Sequence, residues 1–115
     1  MRQGREDASA GGGLVTDVRA ELSRQPADSY RELLSVPALS LGLFAVSAGY
    51  ADVQDPHGED EVYVVVEGEA VLEVAGERTA VSAGSFAYVP AGVAHRFLDV
   101  SSDLRVVVVF APPET

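Results

Sequence analysis

Along most of the chain, apolar and polar residues alternate with a period of two. Leu39, Leu41 and Leu43 are separated by Ser40 and Gly42, the signature of a half-buried strand. Short runs rich in β-branched residues follow at Val62–Val66, Ala70–Val74, Ser85–Val89, Ala94–Val100 and Arg105–Phe110, and each reads as a strand. Gly68, Gly76, Gly84 and Gly92 stand between them at intervals of eight residues. This spacing predicts turns of an antiparallel meander or barrel. It is too short for a helical crossover, so parallel βαβ units are excluded. Ala111-Pro112-Pro113 ends the last strand, because proline has no N–H to give to a ladder.

The first third of the chain reads differently. Residues 1–13 are small and polar and end in three glycines, which predicts a flexible tail ahead of a single domain at 14–115. Thr16 or Asp17 caps a short helix in which Val18 and Leu22 lie four apart. Ser29 and Glu32 have capping-box spacing ahead of Leu33 and Leu34, predicting a second short helix. Val36-Pro37 would close it, since a residue before proline avoids the helical region. The fold class expected is therefore all-β, with one or two short N-terminal helices.

Composition narrows the function. A chain of 115 residues, 47% hydrophobic and 23% charged, is one soluble domain. Eighteen acidic residues face eight arginines and no lysine, for a net charge of -10. That excess repels phosphate backbones and anionic lipid, so neither nucleic acid nor a membrane surface is an expected partner. There is no cysteine, which removes disulfides, thiolate metal sites and cysteine nucleophiles. No signal-peptide pattern follows Arg2 and Arg5, and the apolar stretch Leu39–Gly49 is too short to cross a bilayer. A cytoplasmic location is the expectation. Nothing resembles a phosphate loop, a hydrolase nucleophile elbow or a zinc finger.

The two histidines are the chemically informative residues. His57 lies in Gln54-Asp55-Pro56-His57-Gly58-Glu59-Asp60-Glu61, which runs straight into Val62–Val66. On an extended strand His57, Glu59 and Glu61 share a face. With Glu61 facing the interior, Tyr63 and Val65 do too, while Val62, Val64 and Val66 pack outward against another layer. By the same parity His95 shares a face with Phe97 and Asp99. Two readings follow from these residues alone. One is a solvated acidic loop with two ordinary histidines. The other is a divalent-cation site, because buried carboxylates need a partner and two histidines with one carboxylate form a facial set on an octahedral ion. Glu67, Glu69 and Glu73 read as solvent-facing. Tyr63, Phe86, Tyr88 and Phe97 read first as barrel core.

The stretch Gly84-Ser-Phe-Ala-Tyr-Val-Pro90-Ala-Gly92-Val-Ala-His95 resembles the second motif of the cupin superfamily. There an Asn follows four residues after the His, and here Asp99 occupies that place. His57, Glu61 and Gly68 match the second His, the Glu and the Gly of the first cupin motif. Its first His is absent, and Asp55 stands at its position. Asp52, Gln54, Pro56, His57 and Glu59 to Tyr63 resemble the same region of small bacterial cupins. The motifs span residues 55–99, and the turn pattern extends the likeness over most of 39–111.

The resemblance implies a small jelly-roll barrel holding one divalent transition metal ion, Fe, Mn, Ni or Zn. His57, Glu61 and His95 carry over as ligands. The fourth place falls to Gln54 or Asp55, and Gln54 is favoured because Pro56 supplies a bulge that turns it inward. Tyr63 and Phe97 then line the substrate pocket, with Glu59 and Tyr63 as candidate proton carriers. The implied function is a metal-dependent dioxygenase, isomerase or lyase acting on a small oxygenated organic molecule. The alternative is a non-catalytic small-molecule or metal-binding module. Small cupins similar to this one are usually homodimers, and Leu33–Gly49 is the expected interface.

Overall fold

In a computed structural model, which describes residues 12–52 and 56–114, one short helix precedes six strands. Helix α1 spans Val18–Ser23, and the strands are β1 Ser29–Val36, β2 Leu39–Val46, β3 Asp60–Val74, β4 Glu77–Ser82, β5 Phe86–Val89 and β6 His95–Ala111. They form a single antiparallel sheet in the order β1-β2-β6-β3-β4, with β5 also paired to β3. The all-β jelly-roll expectation holds. Most of the expected tail at 1–13 lies outside the described residues. Among those described, no helix is long and apolar enough to cross a membrane.

Helix α1 begins where the chain predicts. Asp17 is its N-cap and accepts the Ala20 N–H at 3.1 Å. That contact satisfies one of the amides left unpaired at a helix start. The second helix does not form. Ser29–Val36 is strand β1, joined to β2 by the tight Pro37-Ala38 turn and paired from Ser29↔Ala45 to Val36↔Leu39. A capping box can organise only one end of a helix, whereas β1 satisfies a whole row of backbone groups along β2. The Ser29 hydroxyl donates instead to the Pro26 carbonyl at 2.6 Å.

Four of the expected strands merge into two. Val62–Val66 and Ala70–Val74 are parts of one fifteen-residue β3, and Ala94–Val100 and Arg105–Phe110 are parts of the seventeen-residue β6. Gly68 is therefore no turn. It lies within β3 at φ +95°, where an added Cβ would stand 2.3 Å from the Asp103 carbonyl oxygen. The β3–β6 register shifts three times between Val65 and Val71. Strand β4 escaped the hydrophobic pattern because only Val81 in it is buried.

Those shifts reverse the parity of both long strands. On β3 the buried positions are Glu61, Tyr63 and Val65, then Ala70 and Leu72. On β6 they are His95 and Phe97, then Val100, Leu104, Val106, Val108 and Phe110. The change on β6 falls at Asp99, which has φ +48° and is exposed. Asp99 thus does not share the inner face with His95 and Phe97. A bulge of this kind is one way a strand re-aims its side chains.

The sheet curls around an interior in which side chains from β2 to β6 meet, among them Val46, Tyr63, Leu72, Val81, Val89, Phe97 and Leu104. A smaller cluster lies on its other face, where Leu22 of α1 packs with Leu33 and Leu43 against Leu41, Val66 and Val107. Val66 thus has the second layer expected for it. Phe86 and Tyr88 do not enter the core and are 75% and 55% exposed. They pair directly with Val64 and Val62, and directly opposed residues share a face. Because Glu61, Tyr63 and Val65 fill the interior, that face is the outer one.

Candidate functional site

The barrel brings the two histidine segments together through backbone hydrogen bonds. Gly92 N–H donates to the His57 carbonyl at 2.7 Å, and Ala91 N–H to Asp60 Oδ1 at 2.9 Å. The Pro90–Ala94 turn is thereby tied to the start of β3, and His95 opens β6 directly after it. Gly92 takes φ +80° in this turn, a conformation glycine adopts without a steric cost. The His57 and His95 ring centroids are 5.5 Å apart.

His57, Glu61 and His95 each turn a potential ligand atom to one spot, and these atoms lie within 4.8 Å of one another. Glu61 and His95 are almost completely buried, while the His57 side chain is 24% exposed. His95 Nδ1 lies 2.9 Å from the Val93 carbonyl oxygen. A carbonyl only accepts, so Nδ1 carries the proton and, in the neutral ring, Nε2 presents a lone pair inward. Nε2 itself stands 2.8 Å from Glu61 Oε1. The contact is close, yet it lacks hydrogen-bond alignment, and neither buried atom has another hydrogen-bond partner among the described residues.

A bare imidazole nitrogen facing a carboxylate oxygen needs a positive centre between or beside them. Without a metal ion, a proton held by the pair supplies it among the described residues. Burial pushes the His95 pKa down, but the Glu61 carboxylate and the Val93 carbonyl outweigh it, with Asp52 adding to them, and the net shift is upward. The donor set of two imidazoles and one carboxylate also suits a divalent ion of the first transition row. The Val93 carbonyl fixes the orientation of the His95 ring.

The cluster opens on a cavity of about 390 Å³, into which His57, Glu61 and Tyr63 project. Phe97 lies behind Tyr63, with ring centroids 4.9 Å apart, and is fully buried. Glu59 is buried just ahead of β3. Gln54 and Asp55, the alternatives for a fourth ligand, lie outside the described residues.

Several wall residues carried no signal in the sequence. Tyr30 comes from β1, Phe110 from the end of β6, and Glu114 from the segment beyond it. Asp52, present in the motif region without an assigned role, is buried and accepts the Phe97 N–H at 2.8 Å. Glu114 has its carboxyl raised by burial and by Glu59, Glu61 and Glu32, against the opposing effect of His57. Only the fold places these residues beside the histidines, because they come from segments far apart in the chain.

Comparison with known proteins agrees with this architecture. The chain is 53% identical over 87 residues to the uncharacterised protein SCO3923 of Streptomyces coelicolor, covering 76% of this chain and 83% of that protein. It is similar in fold to BH2720 from Bacillus halodurans, with a TM-score of 0.78 at 21% identity, over 91% of this chain and 85% of that one. It is likewise similar to an RmlC-like cupin from Shewanella frigidimarina, with a TM-score of 0.67 at 24% identity, over 72% and 74% of the two chains. The family model of the cupin domain matches residues 42–110. That span runs from β2 to the end of β6 and encloses His57, Glu61 and His95, and the chain belongs to the cupin family.

Proposed function

We propose that His57, Glu61 and His95 hold one divalent transition metal ion, Fe, Mn, Ni or Zn, with Gln54 as a fourth ligand. The protein would then act as a metal-dependent enzyme of dioxygenase, isomerase or lyase type on a small oxygenated organic molecule bound in the adjoining cavity. The observation that carries this reading is the buried pair His95 Nε2 and Glu61 Oε1, 2.8 Å apart and without an aligned hydrogen bond. When bound, the ion supplies Lewis acidity toward oxygen atoms of the ligand and, for a redox-active metal, one-electron chemistry. The chain's own residues do the rest. The Val93 carbonyl holds the His95 tautomer, the barrel wall excludes water from Glu61, and the Tyr63 hydroxyl and Glu59 carboxylate serve as proton carriers.

A second reading, binding without turnover, draws support from the absent first histidine of the motif. The same proposal includes a homodimer formed through Leu33–Gly49 and a cytoplasmic location. Light scattering on the purified protein tests the dimer.

Elemental analysis of protein purified without chelator or affinity metal tests the site. About one Fe, Mn, Ni or Zn per chain is expected, with loss from both His57→Ala and His95→Ala. Metal-free protein whose melting temperature rises with none of these ions would overturn the metal proposal.

A further inference from the structure

The walls of the cavity beyond the histidine cluster share a consistent chemistry. Asp28, Asp52, Glu61 and Glu114 all line it, and among the described residues no arginine does. Asp28 and Asp52 are committed to the backbone, accepting the Ser47 N–H at 2.7 Å and the Phe97 N–H at 2.8 Å. Glu61 is turned to His95.

Glu114 is placed differently. Its backbone N–H donates to Ser40 Oγ at 3.2 Å, fixing it across the end of the barrel, and its side chain is 32% exposed. Its Oε2 lies 3.8 Å from His57 Nδ1. Beside it, the Tyr30 and Phe110 rings meet edge to face with centroids 6.3 Å apart, and Phe110 is 5.2 Å from the His57 ring. The Tyr30 hydroxyl resists ionisation, through burial first and then through the charge of Glu114.

Such walls select by charge. Even with a divalent ion at the cluster, two positive charges face four carboxylates. A carboxylate or phosphate ligand would find no guanidinium or ammonium on the described walls to pair with. A cation finds the opposite, because aromatic rings present negative faces and Glu114 supplies a charged acceptor. Glu61, whose inner oxygen is buried against His95 without a hydrogen bond, lines the same cavity, so the Glu114 wall and the histidine cluster bound one space.

We propose that this cavity takes a compact primary amine, as its ammonium ion, seated between the Glu114 carboxylate and the rings of Tyr30 and Phe110. An oxygen on the same molecule is left to face the histidine cluster. The assignment rests on the reading of this cavity as the small-molecule site, and it names the ligand class that reading leaves open. It does not depend on which metal is bound.

The test is calorimetric titration of the purified protein with three probes of one skeleton: benzylamine, benzyl alcohol and benzoate. Benzylamine is expected to bind about tenfold more tightly than benzyl alcohol, and benzoate most weakly, as for a charged contact out of bulk water. Glu114→Gln should remove most of that preference. Glu77→Gln, the same charge change on exposed β4, should keep it, which separates the site from the overall negative charge. Benzoate or benzyl alcohol binding as tightly as benzylamine, or a preference that survives Glu114→Gln, overturns the amine assignment and leaves the small-molecule reading standing. Binding of none of the three overturns both. Metal content of the same preparations reports independently on the metal proposal.

Discussion

Glu61 and Glu73 are the same residue type on the same strand, twelve positions apart, and they meet opposite surroundings. An even separation on an unbroken strand would place both on one face. The register shifts between Val65 and Val71 reverse that, so Glu61 points into the barrel and Glu73 out of it. Outside, Arg78 Nε and Arg96 Nε donate to the two Glu73 oxygens at 3.0 and 2.9 Å. These hydrogen bonds hold the Glu73 carboxyl below its ordinary range. Inside, Glu61 meets one imidazole nitrogen without hydrogen-bond alignment. A surface carboxylate can be completed by arginines and water. A buried one is completed only by what the fold brings to it, and here that is a His-Glu-His cluster that could hold a cation.

The contrast is most sharply tested by removing the charge at each position. Glu61→Gln should weaken metal binding by at least about hundredfold while keeping the side-chain shape, as expected for loss of a direct ligand. Equilibrium dialysis against the metal found in the parent measures it. Unchanged affinity would mean that the cluster is a structural contact alone.

Gly68→Ala attacks the break that separates the two environments. The new Cβ would meet backbone at Asp103 while φ sits at +95°. A loss of about 3 kcal/mol in urea unfolding is expected from combined strain and overpacking. A change within about 0.5 kcal/mol would show that the strand there can relax.

The pH dependence of stability should distinguish the metal-free and metal-loaded forms. In chelator-treated protein, the folded His95 pKa is raised above the ordinary histidine value of about 6.5. Its contribution is then fully present below that value and is lost as pH rises through the folded pKa. The melting temperature of the metal-free form should therefore fall across that interval. The metal-loaded form should gain stability over the same range, because ligating imidazole must be unprotonated. Parallel curves for the two forms would remove His95 from the site.

The smallest effect is expected at Glu73, the carboxylate on the outer face. Glu73→Gln should leave metal content unchanged and the melting temperature close to that of the parent, because ion pairs with solvent-exposed arginines such as Arg78 and Arg96 contribute little.

Much of this architecture was legible along the chain. The turns at Gly76, Gly84 and Gly92, the Asp17 cap and the inward parity of Glu61 and Tyr63 all follow from local preferences. The convergence of His57, Glu61 and His95 was legible through motif spacing. The misreadings share a cause. Ser29–Val36 carries a helix-start signal that pairing with β2 overrides, and Phe86 and Tyr88 read as core by type while their partners on β3 put them outside. Strand parity puts Asp99 beside His95 and Phe97, and its left-handed backbone breaks that parity.

By itself the sequence determined which residues alternate, where the chain turns, and which side chains could bind a cation. Tertiary structure decided which carboxylate is buried, because the register shifts between Val65 and Val71 exchange the inner and outer faces of the strand beyond them. It also decided that Tyr30, Phe110 and Glu114 share a cavity with His57. Alternation is a property of neighbours, but a cavity wall is assembled from segments whose meeting depends on the closure of the whole sheet.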